Sequence, residues 1–199
     1  MTESTETRRI LSLGTLPVVC AVLVALNGLY LLLVAFGNIT DFATNQAFVH
    51  HVLSMDTTNF ATKPGVGLDP HTIWRAITEP WLQGVLYVIL IAWELTAGIV
   101  LAIATVLWFR GRRTGYRTAR RLSTIGLLML ILLFFGGFTD IGGEWFQMWT
   151  STLWNGEDPA FRNSVLAVLA LIAIHLPNEH WKSETRVTGP RDQSVAGDS

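Results

Sequence analysis

Four long apolar runs dominate the chain, and within them polar positions do not alternate with apolar ones. They extend from Ile10 to Gly37, Trp81 to Phe109, Leu122 to Ile141 and Phe161 to Leu176. A helix needs about 20 mostly apolar residues, at ~1.5 Å rise each, to cross ~30 Å of hydrocarbon. Each run is therefore read as a membrane helix. The fourth is the shortest, and Pro177 marks its end. A transmembrane barrel is excluded, because its strands alternate over about ten residues. The buried core of a soluble bundle would not need four uninterrupted runs of this length. The expected fold is all-α: a four-transmembrane-helix bundle with short helices in the extracytoplasmic loops. The segments are a tail (1–9), helix 1 (10–37), a loop (38–80), helix 2 (81–109), an Arg-rich linker (110–121), helix 3 (122–141), an aromatic loop (142–160), helix 4 (161–176) and a disordered tail (177–199).

The two loops carry further pattern. Phe42, Phe48, Val49, Val52 and Leu53 recur at helical intervals, with Asp41 as a candidate N-cap. Asp69-Pro70 looks like an N-cap followed by proline at the first helical position. Trp145, Met148 and Trp149 fall on one face of a helix. An ordered cap over the bundle is expected.

Charge sets the orientation. All but Lys63, Arg75 and Arg162 of the 14 Lys and Arg residues lie in the two tails and the linker, which holds Arg110, Arg112, Arg113, Arg117, Arg120 and Arg121. The positive-inside rule places those segments in the cytoplasm. The same arginines would meet anionic lipid headgroups. Indole rings favour the interface, so Trp81, Trp145, Trp149 and Trp154 are expected at the outer boundary and Trp108 and Trp181 at the inner one. Thr7-Arg8-Arg9-Ile10-Leu11 faintly resembles a twin-arginine signal, but the apolar run is much longer than a signal h-region. A retained helix in a bacterial cytoplasmic membrane is expected.

Composition sharpens the class. Half of the residues are hydrophobic and only 15% are charged, against roughly 25% charged in soluble domains. A nucleic-acid-binding domain is excluded. The single Cys20 rules out an intramolecular disulfide and a cysteine metal cluster.

Glu94 is the one charged residue in the second run, roughly 20 Å from either end of its helix, and so near mid-bilayer. An ionised carboxylate there costs about 2.5 kcal/mol or more, and the other spans offer no Lys or Arg at that depth. A neutral carboxyl hydrogen-bonded to Asn27 of the first helix is the expected pair. Gly98 and Ala102, on the same helix face, form a small-residue packing pattern. The pair is read as a polar clamp between helices or, alternatively, as a proton-carrying group in a transport path.

The first loop holds candidate metal ligands: His50, His51, Met55, Asp56 and His71. Imidazole with carboxylate suits zinc, and imidazole with thioether suits copper. Adjacent histidines diverge by about 100° on a helix, so capping and hydrogen bonding within the loop is the competing account. No other cofactor is expected. His175 alone does not support a haem. Asp140 and Glu144 more often cap and meet water than act as an acid–base pair, and no serine has the context of a hydrolase nucleophile.

Several stretches resemble one family in the right order: Phe48-Val49-His50-His51-Val52-Leu53-Ser54-Met55-Asp56-Thr57-Thr58, Trp74-Arg75-Ala76-Ile77-Thr78, Ala92-Trp93-Glu94 and Gly142-Gly143-Glu144-Trp145-Phe146. The chain is similar over about residues 12–176 to the bacterial predicted small integral membrane proteins, a domain of unknown function. The resemblance implies four membrane helices and no established activity. With no complete catalytic constellation, a non-enzymatic role is expected. The leading reading is an accessory or scaffold subunit packing against a larger respiratory or transport complex. A proton-linked carrier or small channel using Glu94 is the alternative, and an extracytoplasmic metal-binding protein the third. The expected partners are the lipid bilayer and other membrane subunits.

Overall fold

The computed structural model describes residues 14–182. Expectations for Arg8, Arg9, Arg186, Arg191 and the outer parts of both tails lie outside the described residues, as do the side chains of Arg112 and Arg113. Among the described residues every regular element is helical. Helix α1 spans Leu16–Thr40, α2 Phe42–Ser54, α3 Pro80–Arg110, α4 Arg117–Ile131 and α5 Glu157–His175. α4 runs without a break into a π-helix, Leu132–Trp145. α1, α3, α4 with its π extension, and α5 are long and apolar enough to cross a membrane, at 25, 31, 29 and 19 residues.

α3 packs against α1 and α4, α4 packs against α5, and α5 closes back onto α1. Glycine lets these helices approach. A Cβ at Gly28 would stand 2.9 Å from Leu101 Cβ, and one at Gly98 would stand 2.9 Å from Leu32 Cδ2. Cys20, Val24, Leu31, Leu101 and Leu127 fill the core. Outward-facing Leu26, Leu33, Phe36, Val88 and Ile89 are each more than half exposed. Helices apolar all round suit a hydrocarbon solvent, and the fold is that of an integral membrane protein.

The bundle has an arginine end, around residues 111–116 and 176–182, and a loop end, around 41–79 and 146–156. At the arginine end Trp108 stacks on Tyr116 with centroids 5.2 Å apart, and Trp181 meets both edge-on. Trp108 was expected at the membrane interface, but it is only 3% exposed. Its Nε1 donates to Ser123 Oγ at 3.0 Å, so the indole finds its polar partner inside the bundle. Trp181 Nε1 donates to Leu176 O at 2.7 Å.

At the loop end the two loops are tied together. Phe60 N donates to Thr150 O at 3.2 Å, and Ser151 Oγ bonds Thr57 Oγ1 at 3.0 Å. Arg75 lies between Trp74 and Trp145, 5.7 and 5.1 Å from their ring centroids. Several local expectations need correction. Asp41 precedes α2 but makes no side-chain cap bond. Asp69 accepts from His71 N in a turn, and only a 3-10 segment, Ile73–Arg75, follows. The helix ends at Trp145, and Gln147 takes a left-handed φ of 52°. Met148 therefore turns inward while Trp145 and Trp149 stay outside, and the three do not share one helical face.

Candidate functional site

α3 extends further toward the loop end than α1 does, and this sets what lies beside Glu94. With Gly28 against Leu101 and Gly98 against Leu32, the antiparallel register brings Asn38, near the end of α1, opposite Glu94. Asn38 Nδ2 donates to Glu94 Oε2 at 2.7 Å. Asn45, from α2, donates through Nδ2 to Asn38 Oδ1 at 2.6 Å. The expected Asn27–Glu94 pair is not formed. Asn27 lies about three turns further toward the arginine end and returns its amide to Leu23 O in its own helix at 2.8 Å. Glu94 is thus level with the last turn of α1, not with its middle.

Around this chain of amides is a cavity of about 440 Å³ to which every long helix contributes. Tyr30 and Asn38 come from α1, Asn45 and Phe48 from α2, and Tyr87 and Glu94 from α3. The π-helix supplies Phe134 and Phe138, and α5 supplies Asn163. Phe134 and Phe138 lie about one turn apart on one face, with their rings 5.6 Å from each other, and both line the cavity. Such π segments are common at functional sites. Trp154 and Asn155 complete the wall. The exposed lining residues are Tyr30, Thr44, Asn45, Leu153, Asn155 and Pro159; all but Tyr30 lie at or next to the loop end, where the mouth opens.

Polar groups converge inside. Glu94 is 2% exposed and Tyr87 is 1%. Asn163 Nδ2 donates to Tyr30 Oη at 2.7 Å. Tyr87 packs its ring on Phe42, with centroids 4.6 Å apart, but its buried hydroxyl has no hydrogen-bond partner. A carboxyl and several aromatic rings therefore line one void that, among the described residues, has no Lys or Arg in its wall.

The resemblance drawn from the loop and helix motifs has an independent counterpart. Residues 17–177 match the model of a family described as predicted small integral membrane protein (DUF2165). The chain belongs to this family. No curated protein and no solved structure matches it. Membership in DUF2165 agrees with four apolar helices and carries no reaction with it.

The remaining candidate residues of this DUF2165 protein fall into separate places. Gly98 and Ala102 are used within the chain, at the crossing of α3 with α1. Arg110, Arg117 and Arg121 are exposed at the arginine end. Arg120 instead donates through Nε to Ile174 O at 2.9 Å and lies 4.8 Å over the Trp181 ring; it serves as a cap on the end of α5. Trp81, Trp145 and Trp149 are exposed. Trp154 is half-buried against His51 and Phe48, because it closes the cavity wall instead of pointing outward. His50, His51 and Asp56 gather at the end of α2, with ligating atoms within 4.8 Å of one another. His71 is exposed, and Met55 is fully buried; neither belongs to that group.

Sequence reasoning missed Asn38, Asn45, Tyr30 and Asn163. Asn38 follows Gly37, where the apolar run stops, and so read as loop. Asn38 and Asn45 lie on two helices that break at Asp41, so the periodicity of a single helix does not reveal the pair.

Proposed function

We propose that this is a non-enzymatic membrane protein that binds a small organic cation in the cavity and carries it in exchange for a proton on Glu94. The observation that carries this reading is the buried Glu94 carboxyl in the wall of a cavity that, among the described residues, no Lys or Arg lines. The wall chemistry selects the ligand class. A carboxylate attracts an ammonium group, and the faces of Tyr30, Phe134, Phe138 and Trp154 offer cation–π contact. An ionised Glu94 with no counter-charge is expensive inside the bundle. Entry of one cation as one proton leaves keeps the cavity neutral.

The arginine distribution supports a cavity mouth on the extracytoplasmic side of a bacterial cytoplasmic membrane, with both termini inside. The accessory-subunit reading gains no observation of its own. The small-residue face that motivated it is occupied within the chain, and the exposed apolar side chains are what lipid requires.

The test uses proteoliposomes with an acidic interior and labelled tetraethylammonium outside. A permanently charged probe does not cross lipid as a free base. The expected result is saturable uptake that collapses when the proton gradient is dissipated and is lost in Glu94→Gln. Asn27→Ala, away from the cavity, keeps wild-type uptake. Absence of saturable uptake, or equal uptake by Glu94→Gln, overturns the proposal.

A further inference from the structure

The loop end carries a second set of convergent side chains, apart from Glu94. We infer that His50, His51 and Asp56 form a binding site for a divalent transition-metal ion, zinc foremost, at the C-terminal end of α2.

The geometry meets the main objection to adjacent histidines. Their rings diverge on the helix, yet the centroids lie 5.2 Å apart, and the chain itself returns the third ligand. α2 ends at Met55, which adopts a left-handed φ of 53° and is completely buried. That turn is pinned where Gly65 N donates to Asp56 O at 2.7 Å. The Asp56 carboxylate thereby folds back onto His51, with both oxygens 2.9 Å from Nδ1. One ligand atom from each of the three residues lies within 4.8 Å of the other two. Two ligands on one zinc stand at most about 4.2 Å apart, given bonds of about 2.0–2.1 Å. One ring nitrogen of each histidine and an Asp56 oxygen thus already lie close to the spacing that a single zinc imposes.

The ring of His50 is already set for the task. Gln83 Nε2 donates to Ile77 O at 2.6 Å, so its Oε1 is the atom that faces His50 Nδ1 at 2.8 Å. Oε1 only accepts, so Nδ1 carries the proton and Nε2 keeps its lone pair for a metal. A buried acceptor that fixes the tautomer of a ligating imidazole is the usual outer shell of a metal site. Gln83 is only 3% exposed. His51 would ligate through Nδ1, its proton moving to Nε2, while an Asp56 oxygen takes the adjacent position. Two nitrogens and one carboxylate oxygen suit zinc, and a water completes four-coordination. The side chains of His51 and Asp56 are about a quarter exposed, which leaves an entry path. The thioether of Met55 and the ring of His71 stay outside the set, so the soft donors that copper(I) favours are not assembled here. His51 also stacks on Trp154, with centroids 4.5 Å apart and planes at 20°. An ion here would hold one wall of the cavity mouth.

The experiment uses the full chain purified in detergent without an affinity tag and stripped of metal. Cobalt(II) is added as a spectroscopic probe, and zinc is added by calorimetric titration. One equivalent of cobalt should produce the absorption of a low-coordinate nitrogen–oxygen site, and zinc should displace it. His50→Ala and Asp56→Asn should each weaken binding by about tenfold or more, as should Gln83→Leu through the loss of its hydrogen bond. His71→Ala should bind as wild type. His50 and Asp56 lie toward the surface, so those two variants retain the fold, as checked by elution volume and helical content. Absence of stoichiometric cobalt binding at micromolar concentrations overturns the inference. So does binding that survives in the His50→Ala, Asp56→Asn double variant.

Discussion

A phenol hydroxyl buried without a partner and an indole N–H buried with one obey the same rule with opposite signs. Trp108 donates to Ser123, and Ser123 Oγ in turn donates to Ala119 O at 2.8 Å. Both side chains are satisfied, and the arginine end closes around them. Tyr87 is as deeply buried, but its hydroxyl finds nothing. Removing an orphaned hydroxyl relieves a desolvation cost of about 1–3 kcal/mol. Tyr87→Phe should therefore raise the thermal unfolding midpoint of the ligand-free protein in detergent. A variant that loses stability would mean that the hydroxyl already has a partner in the folded protein.

At the scale of helices, glycines set the contacts that bring polar groups together. At Gly28 an added Cβ meets Leu101 Cβ at 2.9 Å and the Ala102 backbone nitrogen at 3.4 Å; neither is the far end of a flexible side chain. Gly28→Ala should destabilise by about 1–3 kcal/mol, the usual cost of overpacking. Gly84 has open space around it. Gly84→Ala should be neutral or stabilise by up to about 1 kcal/mol through helix propensity. Denaturant unfolding of the two variants compares them directly, and equal midpoints would remove the crossing from the account. The same contacts explain what could be read in advance. Four spans were legible because hydrocarbon demands long apolar runs, and these interrupt the sequence plainly. Glu94 was legible because a lone acid stands out in such a run. Its partner was not, because counting inward from the ends of two runs assumes that the helices are level. The Gly28 and Gly98 contacts set a different register, with α3 projecting beyond α1 and Asn38 at the depth assigned to Asn27. The Trp145–Trp149 stretch misled for a local reason: helical spacing says nothing of Gln147 turning left-handed.

For the whole molecule, the decisive question is which end meets which compartment. Cavity mouth, histidine cluster and interlocked loops share one end of the bundle; the Arg110–Arg121 segment shares the other. If the basic segment is cytoplasmic, as expected from the charge bias, the proposed ligand would enter the cavity from outside. The chain offers a clean assay, since Cys20 is its only cysteine and is fully buried. The native protein should stay unlabelled by a membrane-impermeant maleimide in intact cells. Thr62→Cys, at the exposed tip of the first loop, should label in intact cells. Thr114→Cys, between α3 and α4, should label only after the membrane is permeabilised. Because an even number of spans separates the two termini, a tag at either one should follow Thr114→Cys. Labelling of Thr114→Cys in intact cells with Thr62→Cys protected would invert the molecule. The cavity would then face the cytoplasm, and a cation entering it would leave the cell interior. If both positions labelled from one side, α3 would not cross the membrane, and neither a cavity within it nor an exchange across it would survive.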